Sequence, residues 1–182
     1  MRYVTAFGYE LPFTYFHDDD MLPGSKTLEH FLRHAEELPD FGLLGQAGRF
    51  SPDGRYCPAS VSQSSAFRAV DSVVRGYFVR SMHLHHILRL KWQLKWEGKM
   101  EDDLLAAGAM RLYGNLPILL TPKVLEPAEK MNMQELPSPY ALCSRPDHLY
   151  RRTAFVQTLR SLGWQAVSDG AIAQRVSPSA EK

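Results

Sequence analysis

The chain has 182 residues, 45% hydrophobic and 23% charged, with a formal net charge of +1 and a pI near 7.8. That composition excludes extensive disorder, the length suits one domain (1–182) with a real core, and the pI is lower than most free-standing DNA binders show. No cationic flank precedes an apolar run at the N-terminus and no apolar run is long enough to span a bilayer, so a cytoplasmic protein without membrane contact is expected.

Residues 1–16, MRYVTAFGYELPFTYF, are aromatic and β-branched, which predicts a strand or loose hairpin with an irregular edge at Pro12. HDDD at 17–20 reads as a solvated turn, since a calcium loop needs a later glycine and glutamate that are missing. A helix is predicted from Ser25 to about Leu38, with Leu28, Phe31, Leu32, Ala35 and Leu38 inward and His30 and His34 toward solvent. The histidines share HExxH spacing, but Phe31 stands at the position of the catalytic glutamate and no third ligand is indicated.

Residues 39–66 are dense in Gly, Pro and Ser and predict a covering loop, with SPDG at 51–54 as a tight turn. GQAG at 45–48 lacks the GK[ST] ending of a phosphate loop. Cys57 and Cys143 fit no CxxC spacing and are expected as reduced structural thiols.

The longest span without proline, 67–113, dominates the chain. Between positions 75 and 99 it carries Arg75, Arg80, Arg89, Lys91, Lys95 and Lys99 against the single acid Glu97. Phe67, Val70, Val74 and Tyr77 follow helical spacing and predict a helix from about Ser64 to Arg80, with Asp71 and Arg75 paired on its exposed side. A second helix is expected from Leu84 to Trp96, with Ile87, Leu90 and Leu94 inward, Lys91 and Lys95 on one outer side, and Trp92 and Trp96 beside Arg89 on another. Such tryptophans either stack on bases or a partner, or bury themselves while the lysine heads stay in water. His83, His85 and His86 lack the fourth, distant ligand a zinc site needs, and a histidine-lined, weakly basic surface near phosphate is the other reading. A third helix opens on Glu101, Asp102 and Asp103, packs through Leu104, Leu105, Gly108, Ala109 and Leu112, and stops at Gly114. Two helices joined across Gly98 and followed by a third apolar segment outline a helix-turn-helix unit.

The run from Ala69 to Gly114 resembles the C-terminal part of the phage late-gene antitermination proteins of the Q-like type. HILRLKWQLKWEG at 86–98 matches their helix followed by an Ile/Leu-x-Leu-x-Tyr/Trp…Gly step, and LEPAEKM at 125–131 is similar to the end of their recognition helix. The resemblance covers about residues 64–131 and implies a cytoplasmic transcription regulator that binds DNA, with RNA as the alternative nucleic acid, or RNA polymerase. One departure stands out: Pro117, Pro122 and Pro127 forbid one continuous recognition helix, leaving a short one from Pro122 to Lys130 or a degenerate one.

MNMQELPSPYALCSRPD at 131–147 is a proline-rich connector. A last helix is predicted from Ser144 to Leu162, with Leu149, Thr153, Val156, Leu159 and Leu162 inward and Arg145, Arg151, Arg152 and Arg160 as a second basic element. WQAVSD at 164–169 is expected as a short strand paired with the N-terminal one.

The fold class expected is therefore mainly α (α+β). It places a small β element, helix and covering loop in 1–62, a helix-turn-helix-like unit in 63–131, and a connector, helix and tail in 132–182. No motif joins a nucleophile to a base or assembles a metal site, so neither catalysis nor a cofactor is expected. Function is assigned to a basic contact surface of Arg80, Arg89, Lys91, Trp92, Lys95, Trp96, Lys99, Arg111 and Lys123. Its partner is either nucleic acid or a host protein such as RNA polymerase, and a non-enzymatic protein-interaction module is the alternative reading.

Overall fold

The structure, a computed structural model, describes residues 2–8, 10–18, 21–97, 101–123, 134–135 and 145–167. In chain order the helices are α1 (Arg2–Phe7), α2 (Thr27–Glu37), α3 (Leu84–Gln93), α4 (Asp102–Gly114) and α5 (His148–Ser161). The strands are β1 (Phe13–His17), β2 (Met21–Leu22), β3 (Leu43–Gly45), β4 (Ala47–Arg49), β5 (Val61–Ser62), β6 (Arg68–Ala69), β7 (Ser72–Val74), β8 (Gly76–Arg80), β9 (Ile118–Leu120) and β10 (Gln134–Glu135).

A five-stranded mixed sheet in the order β1-β8-β3-β9-β6 forms the centre, with β3 and β9 parallel and the other pairs antiparallel. A three-stranded sheet, β5-β4-β7, and the two-stranded β10-β2 accompany it. This is an α+β fold, and the expectation of a mainly α protein is overturned.

The central sheet separates two cores by strand alternation. Phe78, Leu44 and Leu119 are neighbours across three strands and join Phe31 and Ala35 of α2 on one face. Tyr77, Val79, Leu43, Ile118 and Leu120 point to the other, where they meet Leu84, Ile87 and Leu90 of α3 and Leu104, Leu105 and Met110 of α4. Phe31 stacks on Phe78 at 5.5 Å between ring centroids, and full burial of such a ring stabilises by about 1.5–3 kcal/mol.

The helix expected from Ser64 to Arg80 is instead β6, β7 and β8. Strands buried on both faces lose the polar alternation that identifies them, so Phe67, Val70, Val74 and Tyr77 imitate helical spacing by coincidence. The β-branched Val70, Val73 and Val79 are fully buried, and Arg75 (φ 70°) and Gly76 (φ 141°) turn the chain between β7 and β8 in a way no helix permits. Asp71 is likewise not on an exposed helix side: it is 1% exposed, and its carboxylate accepts the backbone N–H groups of Ser51 and Val167.

The covering loop contains the central strand β3 and strand β4, although the tight turn is present, with Asp53 at φ 54° and Gly54 at φ 74°. The N-terminal strand begins only at Phe13, since residues 2–7 are helical. β1 lies at a sheet edge, as Pro12 requires.

α3 and α4 pack together, but residues 94–101 between them exceed the three- or four-residue turn of a helix-turn-helix. The next element after α4 is the buried strand β9, parallel to β3, in the place of the expected recognition helix. Pro122 and Lys123 are not helical, and the rest of the short helix expected to Lys130 lies outside the described residues. Trp164 to Val167 form no strand and are held instead by Asp71 and by Arg111, whose Nη2 donates to Gln165 O at 2.9 Å.

Candidate interaction face

Two of the basic residues assigned to a contact surface are engaged inside the fold. Arg80 Nη2 donates to Ala35 O (2.9 Å) and Leu38 O (3.2 Å), capping the C-terminus of α2 where positive charge complements the helix dipole. Its guanidinium lies 5.2 Å from the ring centres of both Phe13 and Phe41, with Nε 3.7 Å from Asp40. Arg111 holds the C-terminal segment, and burial pushes its pKa down against the opposing pull of Asp71. Both positions are structural.

Trp96 is half-buried on the main core, 6.3 Å from the ring of Phe155 on α5. Lys123 is exposed but belongs to the segment after β9, where its N–H donates to Ser64 O. Lys99 lies outside the described residues.

The remaining four residues, Arg89, Lys91, Trp92 and Lys95, stay together on or beside α3. The helix buries Leu84, Ile87, Leu88 and Leu90, so its opposite side carries His85, Arg89 and Trp92. Trp92 is 71% exposed, and so is Met82 in the 3-10 turn Ser81–His83 that leads into the helix. Lys91 is half-buried on the flank. Lys95, exposed and at φ 49°, lies just past the helix end.

Sequence reasoning left Met82, Gln93 and Tyr113 out of this face and placed His85 only in a histidine-lined, weakly basic surface. His85 was legible as part of it, because positions 85, 89 and 92 repeat at four-three spacing along one side of a helix, with Met82 in the turn before it.

α4 fixes the orientation of Arg89. The guanidinium lies over the ring of Tyr113, 4.2 Å from its centre, while the Tyr113 hydroxyl donates to Gln93 Oε1. A cation held over an aromatic face is pre-oriented and stays solvated at its rim.

Three imidazoles border the face. His85 Nδ1 donates to Met82 O at 2.6 Å; the carbonyl only accepts, so Nδ1 carries a proton. His86 lies 3.9 Å from the His85 ring. Its pKa is lowered to about 4, chiefly by burial, then by His85, His83 and Arg89, against the pull of Asp40. His83 Nε2 is 2.8 Å from Asp40 Oδ1. Among the described residues no group of three or more His, Cys, Asp or Glu is arranged to hold a metal ion.

His30 and His34 are not on the solvent side of α2. They are 2% and 8% exposed, while Leu28 and Leu32 are 50% and 42% exposed, so the helix is rotated about its axis from the expected orientation. α5 differs similarly: Arg152 is buried beneath the helix, and Leu149 is 48% exposed.

Among the described residues no helix is long and apolar enough to cross a membrane. No protein-family model matches the chain, and no curated protein sequence matches it.

Proposed function

We propose that the chain is a non-enzymatic protein-interaction module whose contact face is the outer side of α3. The observation that carries this reading is the 71% exposure of Trp92 beside Arg89, two residue types that dominate interface energetics. Residues 81–96 contain no Asp or Glu, so the partner surface is acidic. A host transcription or nucleic-acid machine is the kind of partner the antitermination resemblance implies.

The test replaces Trp92 with an aromatic photo-cross-linking residue, which keeps the anchor's character, in cells of the native host, with a control at the exposed Gln157 of α5. A protein adduct is expected from position 92 alone. It survives nuclease treatment and disappears when Arg89→Glu is added. Equal adducts at both positions, or none, overturn the reading.

A second reading keeps the chain as a DNA- or RNA-binding regulator of the antitermination type. In its favour, exposed Trp92 next to Arg89 and Lys95 suits base stacking beside phosphate. A nuclease-sensitive adduct, with affinity falling steeply as salt is added, is its signature.

A further inference from the structure

Resting on the interaction-module reading, we infer that the α3 face receives one amphipathic helix of the partner, with a carboxylate at its middle and apolar side chains on either side. Four exposed side chains define the receiving surface in the order Met82, His85, Arg89, Trp92. Their three-four-three spacing is the 3.5-residue seam along which two helices pack side by side. The ends of the seam, Met82 and Trp92, are apolar and each 71% exposed. Its middle, His85 and Arg89, is polar and basic. A partner helix that buries both ends must answer the middle with a group that accepts from a guanidinium, and a carboxylate does so with charge assistance.

The surroundings keep the charge at that middle in place. Arg89 is steadied over Tyr113, and Tyr113 is bonded to Gln93 one residue beyond Trp92. His86, half-buried beside His85 with its pKa lowered to about 4, adds no repulsion within the face at neutral pH. No acid of residues 81–96 competes for Arg89. The inverse pattern, an acidic seam with Leu or Met at its ends, is the complement in both charge and shape.

The probe is a synthetic alanine-based helix of about 18 residues, long enough to be partly helical in water. It carries two leucines ten residues apart, the separation of Met82 and Trp92, and one glutamate between them. The full chain is expected to bind this peptide, and Arg89→Glu to weaken it at least about tenfold, equivalent to about 1.4 kcal/mol. A peptide with lysine in place of the glutamate is expected to recover binding to Arg89→Glu. Trp92→Ala provides a second loss, and unchanged unfolding midpoints show that both variants remain folded.

Equal binding of the same peptide interrupted by a central proline overturns the helical partner, as does failure of the lysine peptide to rescue Arg89→Glu. Displacement of the peptide by duplex DNA at low salt assigns the face to phosphate and overturns the inference. Binding of no helical peptide also overturns it, and the cross-link at position 92 then separately decides whether the face docks a protein at all.

Discussion

His30 Nε2 lies 2.8 Å from Thr121 Oγ1, tying α2 to the end of β9 across 91 residues of sequence. Gln63 Nε2 donates to the same hydroxyl at 2.9 Å, and the His30 ring meets His34 edge-on at 4.5 Å. Buried His30 Nδ1 has no hydrogen-bond partner among the described residues. Burial, with His34 and Arg33 adding and Glu37 opposing, lowers the pKa of His30 to about 4. The unfolded chain takes up this proton near pH 6.5 and the folded one only near 4, so stability falls as pH drops through that window. The slope is at most about 1.4 kcal/mol per pH unit for one such group. Urea midpoints measured from pH 7 to pH 4 are expected to show the fall. His30→Gln costs about 1 kcal/mol at pH 7 and flattens the curve, leaving a residual slope from His86, which shifts in the same direction. An undiminished slope in the variant excludes His30 as a source.

A buried charge pair fastens α5. Arg152, 5% exposed, reaches Asp103 at 2.5 Å and places its guanidinium 4.3 Å from the centre of the Tyr56 ring. Arg151 Nε donates to Glu101 at 3.2 Å. Removing one partner of a buried pair leaves the other charge desolvated, so Asp103→Ala is expected to cost about 3–5 kcal/mol in chemical denaturation. Arg151→Ala leaves the Glu101 carboxylate, 4% exposed, without its guanidinium, so a loss of the same kind is expected. A loss below about 1 kcal/mol in both variants contradicts this placement of α5.

These pairs show what was legible in the sequence and what was not. The small residues of α4 announced close helix packing, and the acids at 101–103 announced its start; both are present. The inward turn of His30 was hidden because its partner, Thr121, comes from another segment, and a polar residue with a remote partner looks like a surface residue. Arg80 and Arg111 were hidden for the same reason, since their acceptors are backbone carbonyls that only the fold brings near. Strands β7 and β8 were obscured by burial on both faces. The exposed side of α3 needed no remote partner, which is why Arg89 and Trp92 survive as candidates.

The contact between α4 and α5 yields a test in which two general rules disagree. Alanine is favoured over glycine inside a helix by about 1 kcal/mol. A Cβ on Gly108, however, would sit 2.7 Å from Leu159 Cδ2 and 2.8 Å from its Cδ1, closer than carbon atoms approach. Leu159 is 1% exposed and has little room to withdraw, so overpacking of about 1–3 kcal/mol prevails. Gly108→Ala is expected to lower stability, and adding Leu159→Ala to cost less than it does in the native background. A double-mutant cycle reads that coupling directly, and simple additivity defeats the prediction.

The two tryptophans four residues apart separate folding from binding. Trp96 packs on Phe155 and the main core, so Trp96→Ala removes buried aromatic surface and is expected to destabilise by about 2–4 kcal/mol. Trp92 contributes little to that core at 71% exposure, so Trp92→Ala is expected to leave the urea midpoint within about 0.5 kcal/mol of the native chain. If the outer side of α3 is the contact face, the same substitution weakens partner capture strongly, because an aromatic anchor accounts for about 2 kcal/mol or more of such an interface. Paired denaturation and pull-down measurements decide the matter. A stable Trp92→Ala chain that still captures its partner through Arg89 moves the contact off Trp92. A strongly destabilised one means that the tryptophan belongs to the fold and not to the interface.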